Sequence, residues 1–320
     1  MKSMGIPLVI VHLTSRIKHM IINNESRRQF LKTSGVAALG FLTTAKWVNA
    51  EDITPGSKLK SRFIIASDLH YGQGGTPFDE MAAELVGWVN KEKESEGVDA
   101  LFLNGDLVND SSTALLTLRD THLSKLKVPY YAIKGNHDYV DGKAGSPSES
   151  WESIWGYSSN HTVKVGEFVF IMADTSAPAQ SNVYLAADID WLREQFEKHR
   201  DAPAIFVMIH IAQRRHKVEG WPAHGVYEKD EMIKGEAVIT LLESTPNVRA
   251  VFHGHNHRET SAYVSGERRY FFDSHTGGSW GAKRGYRVVE IYDDHKMVTY
   301  QVNAEDNVEL NRHELTKSGK

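Results

Sequence analysis

Three histidines fall within five residues of the stretch VFHGHNHRE, residues 251–259: His253, His255 and His257. Imidazoles at this spacing can grip a metal ion or merely crowd a polar turn, so their meaning depends on what else the chain carries. Four other short stretches hold groups of the same kind: Asp68-Leu69-His70, Gly105-Asp106, Gly135-Asn136-His137-Asp138 and His210. The chain has no cysteine, which excludes a thiolate site, a disulfide framework and a cysteine nucleophile. Carboxylate, imidazole and amide oxygen remain as donors, a set that suits iron, manganese, zinc and similar ions.

Each of these stretches is ordinary when taken singly. A lone histidine such as His210 is usually packed or hydrogen-bonded, and Asp68 or Asp106 alone could cap a helix. Their placement is not ordinary. RFIIAS leads into Asp68, DALFLN into Gly105, PYYAIK into Gly135, AIFVMI into His210 and RAVF into His253. Apolar runs of this length, ended by polar residues, predict buried strands. Helical spacing predicts helices between them over 79–93 (Met81, Leu85, Trp88, Val89), 112–126, 188–199 and 230–242. Alternating strands and helices make a layered α/β domain, and ligands bind at the carboxyl ends of its strands. YRVVEIY and KMVTYQV flank Asp293, Asp294 and His295 and predict an antiparallel hairpin, hence a mixed sheet or two packed sheets. Gly105, Gly135 and Gly254 stand at or next to a candidate ligand, where a residue without Cβ lets the chain turn sharply off its strand.

In order and spacing, the set over residues 61–258 resembles the calcineurin-like metallophosphoesterases, whose five blocks read D-x-H, G-D, G-N-H-D, H and G-H-x-H. The resemblance implies a four-layer α/β/β/α sandwich with two packed mixed sheets. It implies two metal ions from among iron, manganese and zinc, bridged by Asp106. Asp68, His70 and His257 would complete one metal site, and Asn136, His210 and His255 the other. His137 would touch the phosphate or protonate the leaving oxygen, with Asp138 orienting it. The implied reaction is hydrolysis of a phosphate mono- or diester by a hydroxide bridging the metals, without a covalent intermediate. The D-x-H block leans towards diesters. His253 precedes the glycine and is expected on the strand, packed or hydrogen-bonded.

One position departs from two branches of that family. Purple acid phosphatases carry a tyrosine three residues after the aspartate of the second block, and serine/threonine protein phosphatases an aspartate. Here it is Asn109, so tyrosinate colour is not expected, and the usual partner of the GNH histidine is missing. Histidine pairs are common in the fourth block, but His210 is followed by Ile211. Trp151, Trp155, Trp221 and Trp280 fall in segments read as loops, where they wall a pocket or simply pack. Residues 213–225 could cover the site, with Arg214 and Arg215 either meeting a phosphate or lying on a solvated face.

The first 50 residues read as an export signal rather than as fold. Arg27 and Arg28 precede Phe30, Leu31 and Lys32, a modest apolar run from Val36 to Leu42, and a small-residue cleavage site ending at Ala50. The arginine pair resembles a bacterial twin-arginine signal, which implies the twin-arginine translocation machinery as partner and a periplasmic or secreted location. The apolar run is shorter than the ~20 residues of a membrane span, which leaves an uncleaved anchor as the lesser option. Met20 would be a natural start for such a signal, with residues 1–19 extra, and residues 51–320 would be the mature domain.

The whole chain has a net charge of −4. Residues 1–50 hold seven Lys and Arg and one Glu, so the remainder has 30 basic and 40 acidic residues, a net −10. Such a surface gains little from duplex nucleic acid and favours a small phosphate ester as substrate. A single-strand nuclease and a non-catalytic protein that captures a phosphorylated ligand are the alternatives.

Overall fold

Strand β1 (Leu59–Ala66) shows how the chain divides its side chains between layers. Phe63 and Ile65 point to one core, Ile64 and Ala66 to another, and all four are buried. Successive side chains of a strand face opposite ways, so β1 is covered on both sides. The computed structural model describes residues 56–109, 112–138, 151–177, 180–214, 229–257, 262–265, 268–281 and 283–316. The expected export segment, Trp221, Arg215 and most of the expected cover over 213–225 lie outside them.

The remaining elements follow in chain order. They are α1 (Phe78–Ser95), β2 (Ala100–Asn104), α2 (Ser112–Thr117), β3 (Tyr130–Ile133), α3 (Trp151–Trp155), β4 (His161–Val165), β5 (Phe168–Met172), β6 (Ser176–Ala177) and β7 (Gln180–Tyr184). Then come α4 (Ile189–Lys198), β8 (Ile205–Met208), α5 (Lys229–Ser244), β9 (Val248–His253), β10 (Ala262–Ser265), β11 (Arg268–Phe272), β12 (Gly285–Tyr292), β13 (Met297–Asn303) and β14 (Val308–Leu315). Two six-stranded mixed sheets result, ordered β14-β13-β12-β1-β2-β3 and β10-β11-β9-β8-β5-β4.

Three cores show the layering. Phe63, Phe102, Phe170, Phe206 and Phe252 fill the space between the sheets, and among the described residues no helix contributes there. Ala82, Leu85 and Val89 of α1 cover the outer face of the first sheet, at the i, i+3 and i+7 positions of one helical stripe. Leu192 and Phe196 of α4, with Val238, Ile239 and Leu242 of α5, cover the outer face of the second. Asp188 starts α4 by accepting from the amides of Asp190 (3.1 Å) and Trp191 (3.0 Å). The architecture is therefore the expected α/β/β/α sandwich, and the β12–β13 hairpin pairs Ile291 with Met297 as its sequence predicts.

Two local expectations change. The helix expected over 112–126 does not keep one register: after α2 it widens at Leu118–His122 and tightens at Leu123–Lys125. Trp151 and Trp155 are on the short helix α3 instead of a loop. Trp151 is buried, and Trp155 packs against the same core.

Strand register brings the polar strand ends together. β1, β2 and β3 are parallel, with Ala66 opposite Leu103 and Asn104 opposite Ile133. β5, β8 and β9 are parallel as well, with Met172 opposite Met208 and Met208 opposite Phe252. Both parallel sets end at the same edge of the sandwich, and their loops bond across it: the Thr276 amide donates to Ser67 O (2.9 Å) and the His255 amide to Asp68 Oδ1 (3.0 Å).

The inter-sheet core generates a stability prediction. Phe206 stacks on Phe170 at 5.2 Å and lies within 6.5 Å of Phe63, Phe168 and Phe252. Phe206→Ala is expected to lower unfolding free energy by about 3–5 kcal/mol in a denaturant titration.

Candidate functional site

Four of the candidate residues adopt a backbone that side chains normally avoid. Asp68 (φ 55°), His70 (φ 48°), Asp106 (φ 51°) and His255 (φ 66°) all lie in the left-handed region. Each follows a parallel strand and turns its side chain back into the junction between the sheets. Glycine makes room for this. A Cβ on Gly135 would collide with the Asp106 amide and carboxylate, and one on Gly254 with Ser67 Oγ and Asp68 Oδ2. Gly105 is itself left-handed, and a Cβ there would strike the His210 ring.

Donor atoms gather in three overlapping groups, each within 4.8 Å: Asp68, His70 and His257; His70, Asp106 and His137; and Asp106, His210 and His255. Asp106 joins the last two. Its Oδ2 lies 3.2 Å from His210 Nε2 and 3.8 Å from His70 Nε2, while Oδ1 accepts from the His137 amide (2.8 Å). Asp68 Oδ1 lies 3.1 Å from His257 Nε2, which in turn faces His70 Nε2 at 3.1 Å. Asp68, His70, Asp106, Asn136, His210 and His257 are buried, whereas His137 and His255 are half-buried on the open side.

The far nitrogens of three imidazoles are held from outside. His210 Nδ1 lies 2.7 Å from Asn104 O, His257 Nδ1 3.1 Å from Trp280 O, and His70 Nδ1 3.3 Å from Asn109 Oδ1. Each acceptor takes the Nδ1 proton and so makes Nε2 the nitrogen that faces the cluster. Asn109 therefore works on His70. Asp138, expected beside His137, uses both carboxylate oxygens on backbone, accepting from the amides of Val108 (2.9 Å) and Gly135 (2.8 Å). It ties together the loops after β2 and β3, and burial, reinforced by Asp106, pushes its carboxyl up to about 7.

The buried charges act strongly on one another. Burial works against ionised Asp68, yet His257 and His210 hold its carboxyl well below the usual range. Asp106 is likewise held low against burial, by His210 first and then His137 and His70. Burial also disfavours a charged His210, but Asp106 and Asp68 push it up to about 10. For His70 burial prevails and pushes the imidazole down to about 4.

One atom marks what the cluster lacks. Asn136 Nδ2 donates to Ser181 O (2.7 Å), but its buried Oδ1 has no hydrogen-bond partner. A neutral amide oxygen left bare on the loop that carries His137 is a donor that fits a divalent cation. Six of the seven sequence-predicted donors thus lie in these groups together with His137, and Asn136 is next to His137 in the chain.

Other expected residues stand elsewhere. His253 ends β9, fully buried, with Nδ1 2.7 Å from Ile209 O. Arg214 pairs with Glu236 on α5 (3.1 and 3.0 Å) on the exposed face, in line with the solvated reading of that arginine. Trp280, read from sequence as a pocket wall or plain packing, stands at this site, and two residues, His275 and Asn104, are given no role there by the sequence. His275 bridges to Ser67, is buried, and stacks on His257. Trp280 also stacks on His257, and Asn104 supports His210 through a main-chain carbonyl. Only Asn104 stands next to a motif, and a backbone acceptor leaves no trace in residue type.

Comparison with known proteins places these features in a family. The family model of calcineurin-like phosphoesterases matches residues 61–259. A protein of Pseudoalteromonas sp. (strain SM9913) named "probable cyclic nucleotide phosphodiesterase" is 26% identical over 217 residues, 62% of this chain and 75% of that one. Among solved structures, a dimetal phosphatase from Danio rerio superposes with TM-score 0.56 at 13% identity, covering 82% of this chain and all of that one. A purple acid phosphatase from yellow lupin gives TM-score 0.50 at 12% identity, covering 80% of this chain and 53% of that one.

The electrostatics predict a pH signature of the metal-free protein. His210 is raised above its ordinary value of about 6.5. Its stabilising charge is therefore complete below about 6.5 and is lost as pH rises towards about 10. With chelator present, melting temperature is expected to fall across that window. If His210 serves as a neutral ligand, metal-loaded protein should not show this loss, and a flat chelated profile would contradict the charge arrangement.

Proposed function

Because the chain belongs to the calcineurin-like phosphoesterase family, we propose that it hydrolyses phosphodiesters at a two-metal centre. Asp68, His70 and His257 would hold one ion and Asn136, His210 and His255 the other, with Asp106 shared. The observation that carries this reading is the position of Asp106 between the two groups of donors, 3.2 Å from His210 Nε2 and 3.8 Å from His70 Nε2. When bound, ions drawn from iron, manganese or zinc would supply Lewis acidity towards the phosphoryl group and a more acidic water.

The chain's own residues do the rest. Asp68 and Asp106 set the negative charge of the site, and the Asn104, Asn109 and Trp280 acceptors fix the imidazoles that face it. His137, half-buried on the open side with its ring 5.0 Å from that of His70, is placed to give a proton to the leaving oxygen. Diester preference is supported by His70 in the first block and by the printed name of the bacterial relative. Asn109, which stands where purple acid phosphatases have tyrosine, supports a centre without tyrosinate colour.

Location forms part of the same reading. Arg27 and Arg28 ahead of the short apolar run support export through the twin-arginine route, with residues 51–320 as the mature domain in the periplasm or medium. Among the described residues no helix is long and apolar enough to cross a membrane.

Three outcomes are expected. Residues 51–320 should hydrolyse bis(p-nitrophenyl) phosphate only with metal, losing activity on chelation and regaining it with manganese, and Asp106→Ala should lower kcat/KM at least about 100-fold. Failure of any metal to support turnover would count against the reading. His137→Ala should slow esters with poor alkoxide leaving groups by about 10²–10⁴-fold and p-nitrophenyl esters far less, because nitrophenolate leaves without a proton. Substituting Arg27 and Arg28 together with lysine should retain the full chain in the cytoplasm, as judged by cell fractionation.

A further inference from the structure

Trp280 stands out among the exposed large apolar side chains. Among the described residues the others are Leu59, Ile233, Val308 and Leu310, all aliphatic, whereas Trp280 is an indole 42% exposed at the candidate centre. Its ring does not hang free. It lies parallel to His257, with centroids 5.1 Å apart and planes within 4°, and His257 lies equally parallel to His275 at 5.0 Å. The His70 ring is also 5.1 Å from the indole, tilted to it by 53°, and 4.9 Å from His257.

The backbone that carries this ring is tied down as well. Trp280 O accepts from His257 Nδ1 (3.1 Å), and the amide of Ser279 donates to Gln73 Oε1 (2.8 Å). His275, His257 and Trp280 thus form a run of parallel rings that begins at buried His275 and ends on a partly exposed indole. An aromatic ring fixed in advance loses little side-chain freedom when another ring settles on it.

From this arrangement we propose that Trp280 determines specificity by stacking the heteroaromatic base of a nucleoside phosphodiester whose phosphoryl group sits at the centre. The proposal rests on the phosphodiesterase reading for the position of the phosphate. Stacking explains why an indole is left open beside otherwise buried donors, where packing alone would close it over. A base also matches the fixed planar geometry of the stack, whereas an alkyl group would not need a ring held parallel.

The test compares thymidine 5′-(p-nitrophenyl phosphate) with methyl p-nitrophenyl phosphate. The two share a leaving group and diester charge, and only the first carries a base. Wild-type protein should prefer the nucleoside ester by about 10-fold in kcat/KM, chiefly through KM. The preference should fall about 10-fold in Trp280→Ala and Trp280→Leu and stay within about 3-fold in Trp280→Phe, which keeps a ring. Equal slowing of both esters in Trp280→Ala, with the preference intact, would assign Trp280 only to the support of His257 and overturn the proposal. If wild-type protein turns over neither ester, the phosphodiesterase reading fails separately. Calorimetry with adenosine 5′-monophosphate on the metal-loaded protein then decides the matter. Affinity about 10-fold weaker in Trp280→Leu supports the platform, and equal affinity overturns it.

Discussion

Two carboxylates buried where the sheets meet set the terms for everything around them. Asp68 and Asp106 are each about 1% exposed, and in so enclosed a junction they stay ionised only if positive charge faces them. In the metal-free protein that charge is a proton on His210 and another on His257, both of which are held there against burial by the carboxylates. Metal ions would take over the same task. The site is thus a set of anions and imidazoles whose energy depends on cations, and the surrounding acceptors aim the Nε2 atoms inward.

Building such a set has a backbone cost. Four non-glycine residues at positive φ cost of order 1–3 kcal/mol each unless the surroundings hold them. What holds them is the sandwich. The Asp68 amide donates to Gly105 O (2.9 Å) and the His70 amide to Asp106 O (3.0 Å), lacing the first two loops together. The His255 amide donates to the Asp68 carboxylate, lacing the second sheet to the first. Three separate cores keep the strands in register, so the loops can be strained without moving. Deeper still, Asp273 accepts from Asn104 Nδ2 (2.7 Å) and lies 3.6 Å from Arg287, a fully buried polar link beneath His210.

Much of this was legible in the sequence, for a physical reason. Parallel strands buried on both faces read as unbroken apolar runs, and the residues that end them must be polar if they are to meet a ligand. RFIIAS before Asp68 and AIFVMI before His210 carry both signals in a few residues. The supporting layer was less legible. His275 and Trp280 reach the site from a loop beyond β11, and their relation to His257 exists only after folding. Asn104 acts through a carbonyl that any residue would offer. Trp151 and Trp155 were misplaced because a five-residue helix is too short to show a period, and the widened turn at Leu118–His122 leaves no mark in apolar spacing.

The central claim is that Asp106 is shared by two ions. X-ray absorption at the metal K-edge of the loaded protein tests it most directly. A metal–metal vector near 3.5–4 Å, with a first shell of nitrogen and oxygen only, is the result predicted. An isolated ion with no metal–metal scattering, in protein saturated with metal, would contradict it.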